Sequence, residues 1–296
     1  MQCGATFLFV ATMALTVLRA NTLRIGNSMH TRCTRTLPFL SMAAGNKKEV
    51  LYDMPVSNHG ARVRMILKAK NLVGNNVEIR QPAELGGLTS PDFEKLNPQR
   101  KMPLLVTEGG YPIAESDTIA RYLMEKYGSQ PPSFRPNTLP LAVLSEQLVR
   151  LHDIYISPIQ GCLYKAPGYI MSVHGTDRRA AMRDLVRQVD NAETLLRNFD
   201  ATFPGARKGG YLCGQEISLA DATLFPTMVF VHFMMPRFFD LRVPGPLLAD
   251  WFHNISSSDE AAACVREEIE GALRGWEAAG RWTPILEEMK QTQANR

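Results

Sequence analysis

Three short signals in the first half of the chain carry side chains that could do chemistry together. They are Ser57 in PVSNHGAR, Met102-Pro103 in NPQRKMPLLV and Glu115-Ser116 in YPIAESDTIARYL. A hydroxyl just ahead of a helix can hydrogen-bond an anionic sulfur while the positive end of the helix dipole favours the thiolate. A Met-Pro step opening a strand, with its bond cis, would turn the preceding backbone outward, so that Met102 N–H and C=O pair with an extended peptide. A helix start with a free hydroxyl and free amides receives a carboxylate, and the adjacent Glu115 can pair with an ammonium group. In combination the three fit a small peptide bearing a thiol and an amino-acid end. Singly, each has an ordinary explanation: Ser57 or Asn58 as a helix cap, Pro103 as a trans proline at a strand start, Ser116 as a plain cap beside a dipole-favouring Glu115.

The surrounding pattern supplies elements to position them. Glu49 to Asp53 is strand-like, and Gly60 to Lys70 places Val63, Ile66 and Leu67 at helical spacing. After Gly74-Asn75-Asn76, VEIRQ is a second strand with Val77 and Ile79 on one face. SPDFEKLN reads as a short helix with Ser90 capping and Pro91 in its first turn. MPLLVT and YPIA are strands joined by a turn at Glu108-Gly109-Gly110, and Ser116 to Tyr127 is a helix with Ile119, Leu123 and Tyr127 on one stripe. This β-α-β-α-β-β-α order is that of a thioredoxin-like domain over 49–127. Gly128 to Pro140 contains four prolines and reads as a linker. Residues 141–296 are helical almost throughout, including Leu141 to about Lys165, Asp177 to Phe199, and Ser218 to Phe233, where Ser218 and Asp221 stand close to a capping box. The segment MVFVHFMMPRFF reads as buried helix.

Length and charge narrow the classes further. The 296 residues exceed one small core, with 45% apolar and 21% charged residues, the composition of an ordinary globular protein. The net charge of +4 comes from residues 1–48, which hold Arg19, Arg24, Arg32, Arg35, Lys47 and Lys48 and no acid. The remainder is mildly acidic, which removes the charge argument for a nucleic-acid partner. Residues 1–48 read as a targeting leader, removed or disordered. Ala5 to Leu18 is an apolar run interrupted only by threonines, too short for a confident membrane span, and an Arg/Ser/Thr-rich stretch follows. A signal-like run followed by a transit-like run resembles a plastid bipartite leader. A mitochondrial presequence, a cytosolic protein and a signal anchor at the endoplasmic reticulum are the alternatives. Cys162, Cys213 and Cys264 are an odd number without CxxC spacing, so no disulfide framework and no metal site is expected.

LYDMPVSNHGARVRMIL, NPQRKMPLLV and AESDTIARYLMEKYG together resemble the N-terminal domain of glutathione S-transferases, particularly the serine-using theta, phi and zeta-like classes. ISLADATLFP and WEAAGRWTPILEEMK resemble the family's helix-capping segment and its C-terminal helix. The resemblance implies a thioredoxin-like domain followed by an all-α domain, and glutathione as co-substrate without a metal. It implies transfer of the thiolate to hydrophobic electrophiles, as in detoxification, with peroxidase or isomerase chemistry possible at the same sulfur, and a homodimer. Ser57 would stabilise the thiolate. His59, Lys101, Met102, Pro103, Glu115 and Ser116 would complete the glutathione site, with Lys101 near the glycyl carboxylate. His152, Tyr155 and Tyr164 would face the electrophile, Ser218 and Asp221 would be structural caps, and Arg62 structural. Three departures stand out: His59 where relatives often have Cys or Thr, Arg100 in place of a usual Gly, and Leu88-Thr89 in place of a His-Lys pair. The competing reading is a non-catalytic ligand-binding or protein-assembly module of the same fold.

Overall fold

A computed structural model describes residues 48–238 and 245–294. The leader expected over 1–48 therefore lies outside the described residues except for Lys48. Four strands form one sheet in the order β2-β1-β3-β4: β1 (Glu49–Tyr52), β2 (Val77–Arg80), β3 (Leu104–Val106) and β4 (Pro112–Ala114). β1 and β2 are parallel, so the chain must cross over between them, and α1 (Asn58–Ala69) is that crossover. β3 runs antiparallel to both β1 and β4. Strand alternation sends Leu51, Leu105 and Ile113, which are in register, into the main core with α1 and α3 (Ser116–Lys126). Tyr52 and Leu104 face the other way and pack on Phe93 of α2 (Pro91–Leu96). Ser90 caps α2 by accepting from Phe93 N–H at 3.1 Å. On β2 the expected pair splits: Val77 is buried, but Ile79, toward the far end of this edge strand, is exposed among the described residues.

The helical part follows with α4 (Leu139–Leu151), α5 (Tyr169–His174), α6 (Arg178–Thr202), α7 (Leu219–Phe238), α8 (Pro246–Ser258), α9 (Glu260–Ala278) and α10 (Thr283–Ala294). Two expectations are corrected. The helix expected from Leu141 to Lys165 becomes a π-turn over His152–Ile156 and then a 3-10 turn over Gln160–Leu163. The segment WEAAGRWTPILEEMK is two helices, since Gly280 takes a left-handed φ of 72° after α9 and Pro284 suits the first turn of α10.

α7 is apolar on all sides, the pattern of a helix surrounded by protein. Its span Leu219–Arg237 is long and apolar enough to cross a membrane, yet 89% of it is buried among the other elements. Asp221 fixes its start. Its carboxylate accepts from Ser218 N–H (2.8 Å), Ser218 Oγ (2.6 Å), Leu212 N–H (2.8 Å) and Trp251 Nε1 (2.8 Å). Four donors satisfy a charge that would otherwise be costly to bury. α1 packs on both α7 and α9, so the sheet and the helices share one core.

Candidate functional site

The N-terminus of α1 is closed by its own residues. Ser57 has extended backbone, and its Oγ accepts from Gly60 N–H at 3.0 Å, satisfying one of the first-turn amides. Behind this cap lies Asp53, a fully buried carboxylate paired with Arg64. Burial pushes Asp53 up to about 6, against the opposing pull of Arg64. Arg64 also donates to the carbonyls of Met54 (2.9 Å) and Pro55 (2.7 Å), and pairs with Glu268 of α9 at 2.9 Å, which pins the loop between β1 and α1. Gly60 is required here, since a Cβ at this position would meet the Asp53 carboxylate at 1.9 Å.

The N-terminus of α3 is built in the opposite way. Its cap is Glu115, at φ 67°, with no side-chain hydrogen bond to the first turn. The amides of Ser116, Asp117 and Thr118 are first-turn groups without an intrahelical acceptor, and all three residues line a cavity of about 500 Å³. Glu115 lines it too, held in a sparsely populated backbone region of the kind that functional sites retain.

The loop before β3 forms the facing wall with Gln99, Lys101, Met102 and Pro103. Asn97 organises this loop. Its Nδ2 donates to Lys101 O at 2.7 Å, its Oδ1 accepts from Gln99 N–H at 3.2 Å, and its carbonyl accepts from Arg100 N–H at 2.9 Å. Arg100 sits at φ 53°, the left-handed conformation that a glycine would take without strain. The replacement noted in the sequence thus leaves the loop's backbone in a glycine-like form, with the Arg100 side chain paired outward to Glu94 at 2.6 Å. The Met102-Pro103 bond is cis, and Met102 lies outside the β-ladder.

Arg150, Asp153, Ile154 and Ser157 close the cavity from α4 and its π-turn. Asp153 is paired with the buried Arg62, whose Nη2 also lies 3.1 Å from His152 Nδ1. His152 Nε2 is 2.7 Å from Thr227 Oγ1, which in turn accepts from Asn58 Nδ2 at 2.8 Å. This buried chain ties α1 to α4 and α7. Burial works against the Asp153 carboxylate, but His152 and Arg62 outweigh it and hold its pKa below the usual range. His59, on the first turn of α1, faces the cavity between two hydroxyls: its Nδ1 is 3.4 Å from Ser116 Oγ and its Nε2 is 3.0 Å from Ser157 Oγ. Burial, then the neighbouring His152, Arg62 and Lys101, push its pKa down to about 4 against the pull of Asp153, so the ring is neutral at ordinary pH.

Of the residues read from the sequence, the cavity brings together His59, Lys101, Met102, Pro103, Glu115 and Ser116. Ser57 is not among its lining residues. The three expected electrophile contacts do not converge. His152 is buried in the α1–α4–α7 network, and Tyr155 is exposed on a separate apolar groove with Leu139, Val143 and Leu195. Tyr164 packs on Phe230 and Trp276. The resemblance sets all three on one long helix, and the π-turn adds a residue that rotates these positions. Arg150, Asp153, Ile154 and Ser157 occupy the wall instead, and no local sequence signal marked them. Ser218 and Asp221 serve as the cap of α7, away from the cavity lining.

Residues 51–132 match the model of the glutathione S-transferase N-terminal domain, and residues 177–254 that of the glutathione S-transferase C-terminal domain. The chain belongs to the glutathione S-transferase family. Glutathione S-transferase 3 of Zea mays is 31% identical over 201 residues, covering 66% of this chain and 80% of that protein. Two solved structures share the family's fold. Maleylacetoacetate isomerase of Methylobacterium extorquens AM1, with bound malonate and GSH, has 21% identity and a TM-score of 0.56 over 74% of this chain and 97% of its own. Ure2p in complex with glutathione has 18% identity and a TM-score of 0.59 over 75% and 100%. The expected architecture, a thioredoxin-like part followed by helices, is therefore that of this family member.

Proposed function

We propose that this protein is a glutathione transferase that conjugates the glutathione thiolate to hydrophobic electrophiles in a detoxifying role. Peroxide reduction and isomerisation are further uses of the same sulfur. The open N-terminus of α3 carries the reading, because Glu115, Ser116 and the first-turn amides present one acidic group and several donors to a single cavity. The γ-glutamyl ammonium pairs with Glu115, and its carboxylate takes the Ser116 hydroxyl and the amides. The cysteinyl unit lies along the Met102 backbone beside Pro103, and Lys101 meets the glycyl carboxylate. Ser57 acts on the sulfur only if its hydroxyl, which caps α1, turns toward the cavity. The test is glutathione-dependent turnover of a generic aromatic electrophile, with calorimetric glutathione binding, in the unaltered protein and in Ser57→Ala. Absent glutathione binding sinks the site.

A second reading, a non-catalytic glutathione-binding or assembly module, draws on one observation: the Ser57 hydroxyl is already engaged as the cap of α1 by Gly60 N–H. Tight binding without turnover would select it. A homodimer is also proposed, through the groove where Leu139, Val143, Ile154 and Tyr155 are exposed. Sedimentation of Val143→Glu as a monomer beside a dimeric parent would support that face, and a monomeric parent would reject it. Plastid import by residues 1–48 is proposed from their composition alone, and a reporter fusion decides among plastid, mitochondrion, endoplasmic reticulum and cytosol.

A further inference from the structure

We infer that Arg150 of α4 is a further glutathione-binding residue, whose guanidinium receives the γ-glutamyl carboxylate opposite the start of α3; this role rests on the reading that glutathione occupies the cavity.

The charges on the cavity wall divide into those the protein uses itself and those it does not. Besides His59, whose ring is neutral, the ionisable lining groups are Arg62, Lys101, Glu115, Asp117, Arg150 and Asp153. Arg62 and Asp153 pair with each other, and His152 adds a bond to the same carboxylate. Asp117 pairs with Arg121 at 2.8 Å along α3. Among the described residues, the side chains of Lys101, Glu115 and Arg150 make no hydrogen bond or ion pair. Two cations and one anion therefore line one cavity without partners. Glutathione carries the opposite set, two carboxylates and one ammonium group, so a single molecule satisfies all three.

The neighbours of Arg150 explain why it has no partner. On an isolated helix Glu146 and Arg150, four apart with the acid first, would pair. Here Glu146 reaches across to Arg121 of α3 at 2.7 Å, and Arg121 holds Asp117 with its other nitrogen. Asp153, three residues on, is taken by Arg62 and His152. Both acids within one turn of Arg150 are thus engaged elsewhere.

The Arg121–Glu146 bridge also decides which carboxylate Arg150 meets. One turn back from Arg121 lies Asp117, one turn on from Glu146 lies Arg150, and both line the cavity. Arg150 accordingly stands at the α3 end, with Glu115 and Ser116, whereas Lys101 belongs to the loop before β3. A second observation marks the same end as a place for a ligand. Asp117 Oδ1 is buried without a hydrogen-bond partner, an acceptor that an ammonium group beside Glu115 satisfies. The planar fork of arginine matches an amino-acid carboxylate with two parallel bonds, which a lysine does not provide.

The experiment is calorimetric binding of three peptides to the full-length parent, Arg150→Gln, Arg150→Lys and Lys101→Gln. The peptides are glutathione, γ-aminobutyryl-cysteinyl-glycine, which lacks the γ-glutamyl carboxylate, and glutathione amide, whose glycyl carboxylate is neutralised. Arg150→Gln is expected to raise the Kd of glutathione and of glutathione amide about tenfold, and to bind the γ-aminobutyryl peptide within about twofold of the parent. Lys101→Gln shows the converse pattern, losing affinity for the γ-aminobutyryl peptide but not for the amide. Arg150→Lys, which keeps the charge without the fork, falls between the parent and Arg150→Gln. Glutathione binding by Arg150→Gln within about twofold of the parent overturns the inference, as does an equal loss for all three peptides. A parent that binds no glutathione refutes the site itself, and this role falls with it.

Discussion

The two helix N-termini that meet at the cavity solve the same problem in opposite ways. Both α1 and α3 begin with amides that lack intrahelical acceptors, and both carry the positive end of a helix dipole. At α1 a side chain satisfies one of them, the Ser57 hydroxyl on Gly60 N–H, with the Asp53–Arg64 pair packed behind. At α3 the cap is Glu115, which gives no side-chain bond to the turn, and Ser116, Asp117 and Thr118 of that turn line the cavity. A helix start finished by its own side chains contributes to the fold, whereas one left open and strained is available to a ligand.

The largest expected effect breaks the closed terminus. Gly60→Ala forces a methyl into a carboxylate that Arg64 holds in place, and should destabilise the protein by about 3 kcal/mol or more in denaturant unfolding. The next effect concerns pH. The unfolded imidazole of His59 titrates near 6.5 and the folded one near 4, so acidification protonates the unfolded chain first. Stability therefore falls as pH drops from 6.5 through about 4, by up to about 3 kcal/mol, and His59→Gln should lack that part of the loss when the two are unfolded in parallel. Asp53 has the opposite sign. Its folded pKa is raised to about 6, so its contribution is present at low pH and is lost as pH rises through about 6, in the parent and in His59→Gln alike.

Two smaller changes sharpen the open terminus. Glu115→Ala removes the partner of an ammonium group and should weaken glutathione binding by about 2 kcal/mol, roughly 30-fold in Kd by calorimetry, with little change in melting temperature. Arg100→Gly and Glu115→Gly both relieve a left-handed residue and should each alter stability by less than about 1 kcal/mol. Only Glu115→Gly should lose glutathione affinity. Equal losses in the two would remove the distinction between a loop conformation kept for the backbone and one kept for the ligand.

Much of the scaffold was legible because its signals are local. Strand alternation at Leu51 and Tyr52, the cap at Ser90, and the stripe of Ile119, Leu123 and Tyr127 depend on residues within a turn or two of each other. The gathering of Lys101, Met102, Pro103, Glu115 and Ser116 on the loop before β3 and at the start of α3 was legible for the same reason. The electrophile side was not. The family resemblance set His152, Tyr155 and Tyr164 on one long helix, and the π-turn at 152–156 breaks that helix in a way no composition cue announces. The split at Gly280 was readable from Gly and Pro, but family likeness to a single C-terminal helix overrode it.

The sequence by itself determined the order of elements and the residues standing at the start of α3, whereas the cap at Glu115 rather than Ser116 and the left-handed φ of Arg100 are seen only in the fold. Tertiary structure alone decided that the Asp53–Arg64 pair is buried behind the Ser57 cap, that His59 rather than Ser57 reaches the cavity, and that Ser157 meets His59 from 98 positions away along the chain. Those outcomes depend on which charges are buried together and on how α4 turns against α1, and neither is encoded within one stretch of sequence.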